Sequence, residues 1–150
     1  MTRAKALYVL AIVAHALGWV LPVIRDQQRV YRGVHAFRVA LSPLWPYEHF
    51  HLPTGYTLWL SLASGLTNVV FVGMAVYLWP FVARGAGSRF AAFVLGAAAL
   101  LNLHWTLTLR GNAADLELGY YVWVVSFVLL LLAVHPALAA GRLSRGSRTS

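Results

Sequence analysis

Polar and ionisable side chains set deep inside long apolar runs are the first place to look for chemistry, and in this chain His15, Asn68, Asn102 and His104 stand out. Histidines on two neighbouring helices are how a tetrapyrrole is commonly held within a bundle, so His15 and His104 form a candidate pair of axial ligands. The competing expectation is interhelical hydrogen bonding, in which each such residue contributes on the order of 1 kcal/mol. A second cluster, His35 with Glu48, His49 and His51, offers the nitrogen and oxygen donors that zinc or copper accepts. On an extended segment the alternating His49 and His51 project the same way.

What is missing narrows the chemistry further. The chain has no cysteine, which removes disulfides, thiolate metal ligands and cysteine nucleophiles together. Its carboxylates are Asp26, Glu48, Asp115 and Glu117, all in connections between apolar runs, so no acid–base pair or acidic ion path lies within them. No metalloprotease helix motif, Gly-x-Ser-x-Gly elbow or phosphate loop is present. An enzyme is therefore not expected.

The elements that must position these residues follow from composition. Of 150 residues, 60% are apolar and only 11% charged, which is too apolar for an ordinary soluble domain. Four apolar runs, at about 6–24, 56–79, 90–109 and 118–138, each approach the roughly 20 residues that span a hydrocarbon core. The predicted fold is an all-α integral membrane protein, a four-transmembrane-helix bundle forming one domain over 1–140, with 141–150 a disordered basic tail. Ala14-His15-Ala16 has the small-residue look of a signal-peptide cleavage site, but the apolar run continues through Trp19 to Ile24, so a first span is expected.

The formal charge of +8 sits in loops and tails, where it reads as orientation and not as a nucleic-acid surface. With the N-terminus inside, Arg3, Lys5, Arg84, Arg89, Arg142, Arg145 and Arg148 face in, and Arg25, Arg29, Arg32, Arg38 and Arg110 face out. Both termini are thus expected in the cytoplasm, with a bacterial cytoplasmic membrane as the host. Counted from the outer helix ends, His15, Asn68, Asn102 and His104 then fall in the outer half of the bilayer.

Between the first two spans, over 25–55, Val30, Val34, Phe37 and Leu41 recur at helical spacing and fall within about 60° of arc. The remaining face carries Arg25, Arg29, Arg32, His35 and Arg38. The spacing predicts an amphipathic helix lying at the membrane interface, its arginines towards lipid phosphates, ended by Ser42-Pro43. Trp45 and its aromatic neighbours suit the headgroup level.

Within the spans, small residues recur on single faces and predict close helix contacts. They are Ser61, Gly65 and Asn68 in the second span, Ala92, Gly96 and Ala99 beside Asn102 in the third, and Gly119, Ser126 and Ala133 in the fourth. In the first, Ala11, His15, Gly18 and Pro22 share a stripe, which turns His15 towards protein.

Two local patterns resemble known families. Ala11-Ile-Val-Ala-His15, followed by Trp19, resembles the Ala-x-x-x-His chlorophyll-ligand pattern of bacterial light-harvesting polypeptides. That resemblance covers nine residues and implies a pigment on His15, with Ala11 making room for the macrocycle; those polypeptides span the membrane once. The layout of four spans with a long first outer connection is similar to claudin-like and other small tetraspan proteins, although the claudin Gly-Leu-Trp and paired cysteines are absent.

The expectation drawn from all of this is a noncatalytic accessory or structural subunit, without a cofactor, that packs against other membrane subunits or itself. The alternatives are a haem- or (bacterio)chlorophyll-binding protein using His15 and His104, and a homo-oligomeric pore. A pore predicts a polar face continuous through the membrane, and the polar layer here reaches only the outer half.

Overall fold

A computed structural model describes residues 2–26, 29–45, 55–108 and 114–135. The chain is mostly helical. Helix α1 (Arg3–Val20) is capped by the Thr2 hydroxyl, which accepts from the Lys5 amide. It stops at Leu21, whose extended backbone is what a residue before Pro22 prefers. Helix α3 (Tyr56–Arg84) runs through Pro80 and ends on Gly85 in the left-handed region at φ 71°. There the Gly85 amide reaches Val82 O and the Ala86 amide reaches Phe81 O, closing a Schellman turn. Helix α4 (Arg89–Thr108) opens with Ser88, whose hydroxyl accepts from the Ala91 amide. Helix α5 (Leu118–Val134) stops before His135-Pro136.

Three of these helices, α1, α3 and α4, are long and apolar enough to cross a membrane. The fourth, α5, is equally apolar but has 17 residues, about 26 Å at the helical rise. It is the central element: α1 packs along most of its length, α4 lies on another side, and α3 closes the group. The shared core is built from Ala11 on α1, Phe71, Ala75 and Leu78 on α3, Ala91 and Leu95 on α4, and Phe127 and Leu130 on α5.

At one end of the bundle the connections fold together. Strands β1 (Pro22–Asp26) and β2 (Arg29–Arg32) form a hairpin, and β3 (Ala114–Leu116), just before α5, adds to it antiparallel in the order β2-β1-β3. Register puts Tyr31, Ile24 and Leu116 in one row across the sheet, and Val30 and Arg25 in the next row, facing outward. The β1–β2 register shifts between Pro22 and Ile24, and on the other edge of β1 the Glu117 amide donates to the Val23 carbonyl at 2.9 Å, extending the ladder with β3. Arg25 Nε meets Glu117 Oε1 at 2.6 Å, joining the first and last connections across an exposed pair. At the other end, the Ser88 amide donates to Val134 O, fastening the α3–α4 turn to the end of α5.

Two expectations are corrected here. The first span does not reach Ile24: Val23 and Ile24 are apolar because they belong to a strand that covers the bundle. Nor is 25–41 one amphipathic helix. Only α2 (Gly33–Ala40) is helical, and Arg25, Arg29 and Arg32 sit on strands. The fold is thus mostly helical, with a small three-stranded sheet that the all-α expectation does not include. Pairing with β3, some ninety residues away in sequence, favours the extended form of a segment rich in β-branched residues.

Candidate functional site

Two groups of polar side chains lie inside the bundle. In the first, His15 is 5% exposed and its Nδ1 lies 3.2 Å from Ser126 Oγ. Ser126 Oγ already donates to Trp123 O at 2.6 Å, so the histidine must be the donor, as the Nδ1–H tautomer. Its ring stacks on Phe71, with centroids 3.8 Å apart, and meets Trp19, Trp123 and Phe127 edge to face. Nε2 is left buried and unpaired among these rings.

The second group ties α3 to α4. Asn102 Oδ1 accepts from Ser64 Oγ at 2.7 Å, and its Nδ2 donates to Thr67 Oγ1 at 2.9 Å and to Ala98 O at 2.8 Å. Thr67 Oγ1 in turn donates to Ser64 O, which closes the circuit, and the Tyr120 hydroxyl donates to Asn102 O from α5. A circuit in which every member is paired is how polar groups are tolerated in an apolar interior. His104 stands apart, its Nε2 2.9 Å from the Tyr56 hydroxyl.

Above the second group, towards the sheet, is a cavity of about 400 Å³. This is within the usual range of small-molecule sites. One wall is a stripe on α3, Thr57, Ser61, Ser64 and Asn68, at spacings of four, three and four that share a helix face. Asn102 and Trp105 from α4, and Tyr120, Trp123 and Val124 from α5, form the floor and far wall. The row Tyr31–Ile24–Leu116 roofs it, and Phe37 and Ala40 of α2 close the side. Gly65 makes that closure possible, since a Cβ there would stand 3.1 Å from Leu41 Cδ2 and 3.3 Å from Ala40 Cβ.

Two lining residues carry unpaired buried polar atoms: Asn68 Oδ1 and Trp123 Nε1. The Asn68 amide is oriented by its Nδ2, which donates to Gly65 O at 3.2 Å. Ser61, half-buried on the same wall, has no hydrogen-bond partner among the described residues.

The residues singled out by sequence distribute as follows. Ser61, Gly65, Asn68 and Asn102 meet at the cavity. Gly119, Ser126 and Ala133 are buried on α5. On α4 the fully buried stripe is Ala91, Leu95 and Ala98, one residue offset from Ala92, Gly96 and Ala99, which are half-buried beside it. His15 and His104 belong to separate groups and neither lines the cavity. A tetrapyrrole between them would require both rings to leave their partners and to share a space that the cavity does not supply.

His35 is exposed on α2, and Glu48, His49 and His51 lie outside the described residues. Among the described residues no three metal-binding side chains come together. Of the arginines, Arg29 and Arg32 are exposed, and the Arg38 guanidinium lies over the ring of the exposed Trp45, 4.8 Å from its centroid.

Ser64, Thr67, Trp105, Tyr120 and Trp123 were not apparent from sequence. A tryptophan or a lone hydroxyl within an apolar run looks like any other helix-packing residue, although the spacing of Thr57, Ser61, Ser64 and Asn68 is a periodic signal that could have found Ser64. No protein-family model, curated protein or solved structure matches this chain.

Proposed function

We propose that the chain is an integral membrane protein of four spans, with α5 as the fourth and both termini cytoplasmic. Its role is noncatalytic: an accessory protein of the membrane that holds a lipid-like molecule in the sheet-capped cavity. The observation that carries this reading is the cavity itself, apolar over most of its wall and lined, among the described residues, by no Asp, Glu, His, Lys or Arg. Such a site can bind and orient but has no strong acid or base with which to react.

The surroundings support a bilayer. Helix faces turned away from the core carry large apolar side chains in the open, among them Val76, Phe93 and Leu100 at 73, 76 and 70% exposure, as faces turned to lipid would. At 17 residues, α5 is at the short end of what crosses a hydrocarbon core.

Because the chain lacks cysteine, topology can be read from single introduced thiols. With Thr2→Cys and Ala86→Cys, an impermeant maleimide should label from the cytoplasmic side, and with Arg29→Cys from the opposite side. Labelling of Ala86→Cys and Arg29→Cys from the same side would rule out the four-span arrangement.

The binding role is tested by photolabelling the protein in nanodiscs with a diazirine-bearing hydrocarbon and mapping the adducts by mass spectrometry. Adducts on Phe37, Trp105 and Val124 should exceed those on the outward Val69 and Val76 severalfold. Labelling of outward positions alone would show that the cavity holds no lipid-like molecule.

A further inference from the structure

We propose that the cavity selects an uncharged, hydroxyl-bearing lipid, a long-chain or polycyclic alcohol or an acylglycerol, and turns its hydroxyl towards Ser61 and Asn68. The inference rests on the binding role above and names the class of molecule bound.

The first argument is charge. Among the described residues no cationic or anionic side chain lines the cavity, so a phosphate, carboxylate or ammonium head would enter a poorly solvated space without a counter-ion from them. The arginines of the sheet do not offset this: Arg25 lies on the outward row and pairs with Glu117, and Arg29 and Arg32 are exposed and do not line the cavity.

The second argument is the pattern of unpaired groups. Asn68 Oδ1 can only accept, Trp123 Nε1 can only donate, and the Ser61 hydroxyl does both. The amide nitrogen of Asn68 is already engaged by its own helix, so its oxygen is the group left to satisfy. A hydrocarbon answers none of these atoms. A ketone or ester carbonyl could meet the donors but not Asn68 Oδ1, whereas a hydroxyl gives one hydrogen and takes another.

Asn68 Oδ1 and Trp123 Nε1 are covered in the free protein. A rotation of the Asn68 side chain that brings Oδ1 to the ligand hydroxyl would relieve the cost of leaving that atom buried and unpaired. The hydroxyl stripe on α3 runs down one wall while Phe37, Trp105 and Val124 offer the apolar body of the ligand an opposing surface.

The test uses the photolabelling of the full-length protein in nanodiscs as a competition. Chain-matched competitors are added at equal bilayer mole fraction: tetradecanol, tetradecane, tetradecyl phosphate and tetradecyltrimethylammonium. Tetradecanol should abolish cavity adducts at about a tenfold lower mole fraction than any of the others, the effect of a hydroxyl paired with buried partners. In Ser61→Ala, and separately in Asn68→Leu, that advantage over tetradecane should shrink to about twofold while hydrocarbon labelling persists, which shows the cavity still formed.

Equal competition by tetradecane and tetradecanol, or a preference unchanged in both variants, would overturn the hydroxyl assignment and leave the binding role standing. Better competition by the phosphate or the ammonium would overturn the requirement for an uncharged head. Absence of cavity adducts under every condition would overturn the binding role with it.

Discussion

Gly33→Ala is expected to destabilise the protein by about 3 kcal/mol or to prevent its accumulation, at the upper end of what overpacking costs. Gly33 is the first residue of α2, and its amide donates to Leu21 O at 3.2 Å, so α2 begins pressed against the end of α1. A Cβ at Gly33 would fall on the carbonyl of Gly18 and the Cα of Trp19. Those are backbone atoms, so relief requires moving α2 off α1, which would also open the cavity that α2 closes. Gly119→Ala meets the same obstacle, with its Cβ directed at the Pro22 carbonyl and 2.8 Å from Leu21 Cβ. Gly73 provides the control. It lies on the outward face of α3 with nothing within 4 Å of a built Cβ, so Gly73→Ala should be neutral or stabilise by up to about 1 kcal/mol through helix propensity. SDS-titrated unfolding of the three variants, followed by circular dichroism, measures the difference. Equal stability of Gly33→Ala and Gly73→Ala would show that the contact between α1 and α2 is not this close.

The helices were legible because their information is local. Each has an apolar run near a spanning length, bounded by Thr2, Pro22, Gly85, Ser88 or Pro136, residues whose backbone chemistry ends or starts a helix. The sheet was not legible, because what makes it a sheet is distant. Val30, Val34, Phe37 and Leu41 satisfy a helical period, yet Val30 lies in β2 opposite Arg25, and only Gly33–Ala40 coils. Over so short a stretch periods of two and 3.6 overlap, and β3 decides between them.

The candidate site shows the same division. Asn68 and Asn102 drew attention because uncharged amides inside an apolar span are costly, and both do line the cavity. Their partners Ser64 and Thr67 stood out less, since a hydroxyl in a helix can bond its own backbone and signals little about a neighbour. The cavity could not be anticipated at all. It is made by the sheet row Tyr31–Ile24–Leu116 and by α2 lying over helices that alone would leave only a groove. His15 was correctly turned inward by its stripe with Ala11 and Gly18, all three of which are buried, but nothing in the sequence placed four aromatic rings around it.

Those rings lead to the second large effect, at His15. His15→Ala removes a ring that stacks on Phe71 at 3.8 Å and is flanked by Trp19, Trp123 and Phe127, and should cost about 3 kcal/mol, as truncating a buried aromatic does. His15→Phe separates shape from chemistry. It keeps a ring in the stack and eliminates the unpaired Nε2, while giving up one bond to Ser126, whose own hydrogen stays on Trp123 O. The two changes nearly offset, and His15→Phe should lie within about 1 kcal/mol of the parent. A histidine that ligated a tetrapyrrole would behave differently, because phenylalanine cannot bind a metal: both variants would lose the pigment. Unfolding and a visible absorption spectrum on the same detergent-purified samples distinguish the two roles. A well-folded His15→Phe protein with the parent's spectrum makes His15 a packing residue. A visible band present in the parent and missing from both variants would make it a ligand, and would mean that the aromatic cage opens around a macrocycle in the membrane.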